Sequence, residues 1–234
     1  MNWIWIVVIV VMGGCVWNGH RRGMVKTIFS LFSAIVALVL TAVFAPVVSK
    51  QLQNNERLSA YVEEKVESSL SGYLDDLKES SSAAQNEMIK ELPLPEVIRE
   101  KLVANKNTEV YQAMAVDTLE QYVVKYVTNV MINAGAFVIV FLVINLALLI
   151  LANVLDIISK LPVLNTLNKT LGAAGGFVQG LVILWILCIV LTVFSSSETA
   201  KEIFAQINKD SVLSYIYNHN LLLQMISDVV KLLG

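Results

Sequence analysis

The sequence is short of charge and of the residues that do chemistry. Charged side chains make up 15% of its 234 residues, against about 25% in soluble domains, which excludes an ordinary water-exposed globule. Cysteine occurs twice, at Cys15 and Cys188, in separate apolar stretches far apart in sequence. That placement argues for small apolar fillers and against a disulfide or a metal pair. Histidine also occurs twice, as His20 and His219, and no H-x-x-x-H or C-x-x-C spacing is present. Nucleophile-elbow, phosphate-cradling and dinucleotide-binding glycine motifs are missing too. No catalytic residue, cofactor or metal is therefore expected, and the chain reads as a non-enzyme. A formal charge of −2 argues against nucleic acid as a partner.

What the sequence has is apolar length. It is 56% hydrophobic with a mean hydropathy of +0.66. Four stretches are almost free of charge: Trp3–Trp17, Met24–Val48, Val127–Leu155 and Leu171–Phe194. A bilayer core of about 30 Å needs about 20 helical residues. The last three stretches meet that length. The first is shorter, but no charged side chain lies between Met1 and Gly19, so it too can cross. Its basic residues, Arg21, Arg22 and Lys26, follow the apolar run instead of preceding it, so it reads as a retained span and not a signal peptide. The expected fold is an all-α integral membrane protein. It has two spans in 1–48, an acidic helical hairpin in 49–126, two more spans in 127–194 and an amphipathic helical tail in 195–234.

Orientation follows from the short connections. "HRRGMVK" (20–26) joins the first two spans, and "SKLPVLNTLNK" (159–169) joins the last two and contributes Lys160 and Lys169. The 49–126 segment holds nine basic and fourteen acidic residues, a net of −5. Basic short loops stay cytoplasmic, while long segments cross largely regardless of charge. The expectation is an N-terminus, insert and tail outside. Trp3, Trp5 and Trp17 fit interfacial belts at the two ends of the first span.

Two spans carry further patterning. Gly172, Gly176 and Gly180 repeat every four residues, two overlapping G-x-x-x-G motifs on one helix face. Each glycine costs a helix interior roughly 1 kcal/mol relative to alanine, so close packing or a pore must offset it. The alternatives are a seam within the chain, a self-association seam, or a pore face. Gly13, Gly14, Gly19 and Gly23 of the first span are candidate counterparts. In the third span Asn145, Asn153 and Asp156 fall near one face, and polar groups at membrane depth seek partners or water. An interhelical hydrogen bond from Asn145 and an ion pair of Asp156 with Arg21 or Arg22 are expected, with a polar permeation or ligand path as the alternative.

In the insert, apolar residues at 58, 61, 62, 66, 70, 73, 74 and 77 follow helical spacing. A second stripe at 119, 122, 123, 126, 127 and 130 runs straight into the third span. Serines, Pro93 and Pro95 lie between them. In the tail, "SSSE" predicts a cap at Ser195 with Glu198 three residues on. Leu222, Met225, Ile226, Val229, Val230 and Leu233 form a stripe that covers protein or lies at the membrane surface.

"GHRRGMVKTIFSLFSAIVAL" after an apolar start, and later "LPVLNTLNKTLGAAGGFVQGLVIL", resemble the colicin V production protein family. Its members carry an arginine–glycine turn after the first span and an LN-(R/K)-x-LG-x-x-x-G entry to the last. Here these are Arg22-Gly23, then Leu167-Asn168-Lys169 with Leu171-Gly172 and Gly176. "DSVLSYIYNHN" (210–220) is also similar to the family's C-terminal pattern, and the long insert looks like the version in Gram-positive bacteria. The resemblance implies a multi-pass protein of the bacterial cell membrane, needed for bacteriocin production or export and for envelope homeostasis. It brings no catalytic residues. The partners it leaves open are the lipid bilayer, a second copy of the chain, or an envelope or secretion protein. The alternative function is a small homo-oligomeric channel lined by the Gly/Ala-rich fourth span.

Overall fold

A computed structural model describes residues 3–79, 82–154 and 166–226. Among them there are helices and no strand. They are α1 (Ile4–Gln53), α2 (Glu56–Glu79), α3 (Ser82–Glu91), α4 (Glu96–Ala104), α5 (Thr108–Met114), α6 (Leu119–Val154), α7 (Thr166–Val193), α8 (Glu198–Asn208) and α9 (Ser211–Asn218). A last helical stretch begins at Leu221. Helix satisfies every backbone polar group within its own segment, which is what an apolar solvent requires. Four segments are long and apolar enough to cross a bilayer: Ile4–Met24, Lys26–Gln53, Leu119–Leu151 and Asn168–Val193. The chain is a multi-pass membrane protein.

The expected loop between the first two spans is absent. α1 runs through "HRRGMVK" as helix on both sides of one residue, Gly23, whose φ of 78° and ψ of 168° leave the helical region. Only glycine adopts that conformation without steric cost. The chain folds back there. Thr27 Oγ1 lies 3.5 Å from the carbonyl oxygen of Gly19, whereas eight residues of straight helix would separate them by about 12 Å.

The chain divides into two compact units. Unit 1 is Met1–Ala45 with Phe137–Leu187, and unit 2 is Pro46–Ala136 with Cys188–Gly234. Unit 1 turns large apolar side chains outward along its helices. Ile28, Phe32, Ile35, Val39 and Val43 of α1, and Ile139, Leu142, Leu146 and Leu149 of α6, are all more than half exposed. A water-soluble protein would bury these; in a bilayer they face lipid.

Unit 2 has an aqueous-style core. Val66, Leu70, Leu74 and Leu77 of α2 are buried with Ile98 and Leu102 of α4 and with Tyr122, Val123, Tyr126, Val127 and Val130 of α6. Tyr61 and Tyr73, though in register with the α2 stripe, are exposed. Pro95 ends the break that follows α3, because the residue before a proline is pushed out of helix. Arg99 donates to the Lys90 carbonyl and so ties α4 to the end of α3. Its guanidinium pKa is held down by burial, against the pull of Glu96 and Glu100.

The tail packs on the rest of unit 2. Lys201 Nζ donates to the Ser69 carbonyl of α2 at 2.7 Å, and Asn218 Nδ2 donates to Glu96 of α4. Tyr217, 1% exposed, stacks edge-on against Phe204 and shares a 3.0 Å hydrogen bond with Thr192. The cap of α8 is Ser197, which accepts from the Ala200 N–H at 3.2 Å. Ser195 is buried inside the preceding turn instead, because that turn adds two residues before the helix starts. Leu222, Leu223 and Ile226 are buried while Met225 is half exposed, so the inward stripe takes Leu223 in place of Met225. Val229, Val230 and Leu233 lie outside the described residues.

Candidate functional site: the glycine seam of unit 1

The seam is built from two helices that can approach because both lack side chains at the contact. Read along α1, Met12, Cys15, Gly19 and Gly23 meet Gly180, Gly176 and Gly172 of α7 in descending order. Past Gly23 the order reverses: Thr27 and Leu31 meet Gly175, and Ser30 Oγ lies 3.4 Å from Gln179 Nε2, which donates to it. The first limb of α1 is thus antiparallel to α7 and the second is parallel to it, which is the reversal at Gly23 seen from its partner.

The approach is backbone to backbone. A Cβ added at Gly176 would lie 2.9 Å from the carbonyl carbon of Cys15 and 3.0 Å from Val16 Cα. One at Gly172 would lie 2.7 Å from the carbonyl carbon of Gly23 and 2.9 Å from its Cα. Gly180 instead meets side-chain atoms, Met12 Sδ at 2.8 Å and Cys15 Cβ at 3.3 Å. On the other side, Gly19 opposes Gly172 and Gly176, while Gly13 and Gly14 have nothing within 4 Å. Lipid gives helices no hydrophobic drive to associate, so contacts of this closeness supply the attraction.

The turn is braced by polar groups. Thr27 Oγ1 donates to the Gly23 carbonyl at 2.9 Å. Asn168 is 8% exposed, and its amide covers the open face of Gly23; a Cβ there would lie 3.0 Å from Asn168 Cγ. Thr27, Asn168 and Ser30 are not evident from sequence spacing. The available signals are a hydroxyl four residues after the turn glycine and an amide four residues before Gly172.

The other sequence-derived positions fall differently. Arg21 and Arg22 are exposed beside Gly23. Asn145 donates to the Phe141 carbonyl of its own helix at 2.9 Å. A half-buried amide with lipid on its flank meets its need one turn back, in place of the expected bond between helices. Asn153 lies in α6, but its side chain is outside the described part, and Asp156 lies outside the described residues, as does Lys160. The face of Gly172, Gly176 and Gly180 that a channel would turn to its pore is filled by α1 of the same chain.

The two segments that carry the family resemblance, Arg22-Gly23 and Asn168 through Gly176, therefore meet in space. The sequence model described as colicin V production protein matches residues 5–74 and 110–220. The unmatched 75–109 contains the last turn of α2, all of α3 and α4, and the start of α5. No curated protein matches the chain, and no solved structure does. With its match covering most of the chain and both motifs packed in one seam, the chain belongs to the colicin V production protein family.

Proposed function

We propose that the chain is a non-enzymatic protein of the bacterial cell membrane that supports production or export of a bacteriocin of the colicin V type and contributes to envelope homeostasis. The observation that carries this reading is the family match across both halves of the chain. The seam gives the shared motifs a physical task, which is to hold α7 against both limbs of α1. The Gly23 end faces the cytoplasm in this reading, with the N-terminus, insert and tail outside. A second copy of the chain or a component of the secretion machinery is its protein partner.

The test is genetic. Its gene is removed from a host that secretes such a bacteriocin, and the growth-inhibition zone is measured on a sensitive lawn. The zone should shrink and return with the parent gene, but not with Gly176→Leu. A zone of unchanged size after removal would overturn the reading.

A further inference from the structure

Charge is divided unevenly between the two units. Five of the 17 Lys+Arg and one of the 19 Asp+Glu fall in unit 1, leaving twelve and eighteen in unit 2. Among the described residues of unit 1, the cations are Arg21, Arg22, Lys26 and Lys169, and there is no carboxylate. All four gather at one end. Arg21 and Arg22 precede the Gly23 reversal and Lys26 follows it. Lys169 is next to Asn168, whose side chain rests on Gly23. Arg21, Arg22 and Lys169 are exposed, and Lys26 is half-buried.

The same level marks the edge of the apolar surface on three described segments. Trp17, 66% exposed, comes just before the cations on the first limb. Ile28, 53% exposed, comes just after them on the second, and Leu171, 51% exposed, follows Lys169 on α7. An outward tryptophan at such an edge is the usual occupant of the headgroup layer. The seam forces cations from three helical segments together at that depth, and their mutual repulsion acts over a screening length of about 10 Å. The anion present there at highest local concentration is the phosphodiester of a lipid.

We propose that the Gly23 end of unit 1 binds an anionic phospholipid headgroup through Arg21, Arg22, Lys26 and Lys169. A purely topogenic role would need these charges only during insertion. A binding role persists in the purified protein, where orientation no longer matters.

The experiment uses the full chain in a neutral detergent. Retained lipid is counted by native mass spectrometry, and thermal stability is followed during titration with phosphatidylglycerol or with phosphatidylcholine. The parent should retain and be stabilised by phosphatidylglycerol only. Each basic residue near an anionic surface contributes a factor of about five in affinity, so Arg21→Gln with Arg22→Gln should weaken binding roughly 30-fold. Lys26→Gln with Lys169→Gln should do the same and decides the matter if the arginine pair fails to fold. Lys50→Gln with Lys209→Gln, two exposed lysines of unit 2, should leave binding unchanged. Equal retention of the two lipids, or equal weakening by the unit 2 pair, would overturn the proposal. So would stabilisation by inorganic phosphate equal to that by the lipid.

Discussion

Replacing Gly176 by alanine adds one methyl group, and two physical effects of opposite sign compete over it. Alanine is the better helix former by about 1 kcal/mol. The added carbon, however, would lie 2.9 and 3.0 Å from backbone carbons of Cys15 and Val16, whereas carbon atoms pack at about 3.5–4.0 Å. Backbone cannot swing aside as a side chain does, so the first limb of α1 must retreat by about 0.5–1 Å, which forfeits a quarter to a half of each contact well. On the order of 30 atom pairs at 0.1–0.2 kcal/mol each hold such a seam, so the retreat costs about 1–3 kcal/mol. The loss matches or exceeds the gain, and Gly176→Leu should be clearly worse because its side chain has no space at all.

Gly13→Ala is the matched comparison. It lies on the first limb of α1, the helix that Gly176 faces, and nothing stands within 4 Å of the added carbon, so only the helix-forming gain applies. In mild detergent, each 1 kcal/mol moves the unfolding midpoint by about 2–4 °C at this chain length. Gly13→Ala should raise the midpoint by that amount and Gly176→Ala should hold or lower it, a difference in direction that does not depend on calibration. Gly175→Ala belongs between them. Its obstacle is the Thr27 methyl at 2.7 Å, a side-chain atom, but one anchored by the bond to the Gly23 carbonyl. Equal stabilisation at 13 and 176 would refute the seam.

Three further outcomes are expected. Ser197→Ala removes the cap of α8 and should lower stability by about 1 kcal/mol, measured by denaturation in detergent, whereas a capping role for Ser195 would leave the Ser197 variant unaffected. Burial first, then the neighbouring Cys188, pushes the Tyr217 phenol pKa well up, against the Thr192 hydrogen bond; its stabilising contribution is therefore full below about pH 10, the unfolded tyrosine value, and declines as pH rises above it. Tyr217→Phe should be less stable near neutrality by about 1 kcal/mol for the lost hydrogen bond and should close that gap on the alkaline side; a gap constant with pH would contradict the burial argument. For orientation, in a background without Cys15 and Cys188, an impermeant thiol reagent should label Ser71→Cys in intact cells and spare His20→Cys, and the reverse labelling would invert the assignment.

Much of the spanning architecture is legible because lipid imposes length and apolarity on each segment, and those are properties of the linear sequence. Four-residue glycine spacing is likewise a linear property, and Gly172, Gly176 and Gly180 lie where α1 approaches α7. Its partner is less legible. Gly13 and Gly14 have the same composition as Gly19 and Gly23, yet only the latter pair touches α7, because rotation of a helix about its axis is set by neighbours and not by its own residues. The reversal at Gly23 is hidden for a similar reason. Polar "HRRGMVK" reads as a loop, but one glycine at φ 78° completes the turn alone, so the flanking polar residues stay helical. Ser195 fits the capping signature with Glu198, but the extra turn after α7 passes the cap to Ser197.

These distinctions bear on how loss of function should be read. Gly23, Asn168, Gly172 and Gly176 belong to the segments that resemble the family; the three glycines meet the facing helix backbone or the Asn168 side chain so closely that a Cβ would clash. A variant there that abolishes bacteriocin output fails first at packing, so its phenotype locates no ligand and no partner. The cations beside the seam are separable. Arg21, Arg22 and Lys169 are exposed, and surface substitutions outside a packed contact usually change stability by no more than about 0.5 kcal/mol. Glutamine at these positions can therefore alter lipid retention in a protein whose midpoint is unchanged. If bacteriocin output falls in that folded variant, the Gly23 end acts through the membrane surface. If output holds while lipid is lost, function depends on the seam and not on the headgroup.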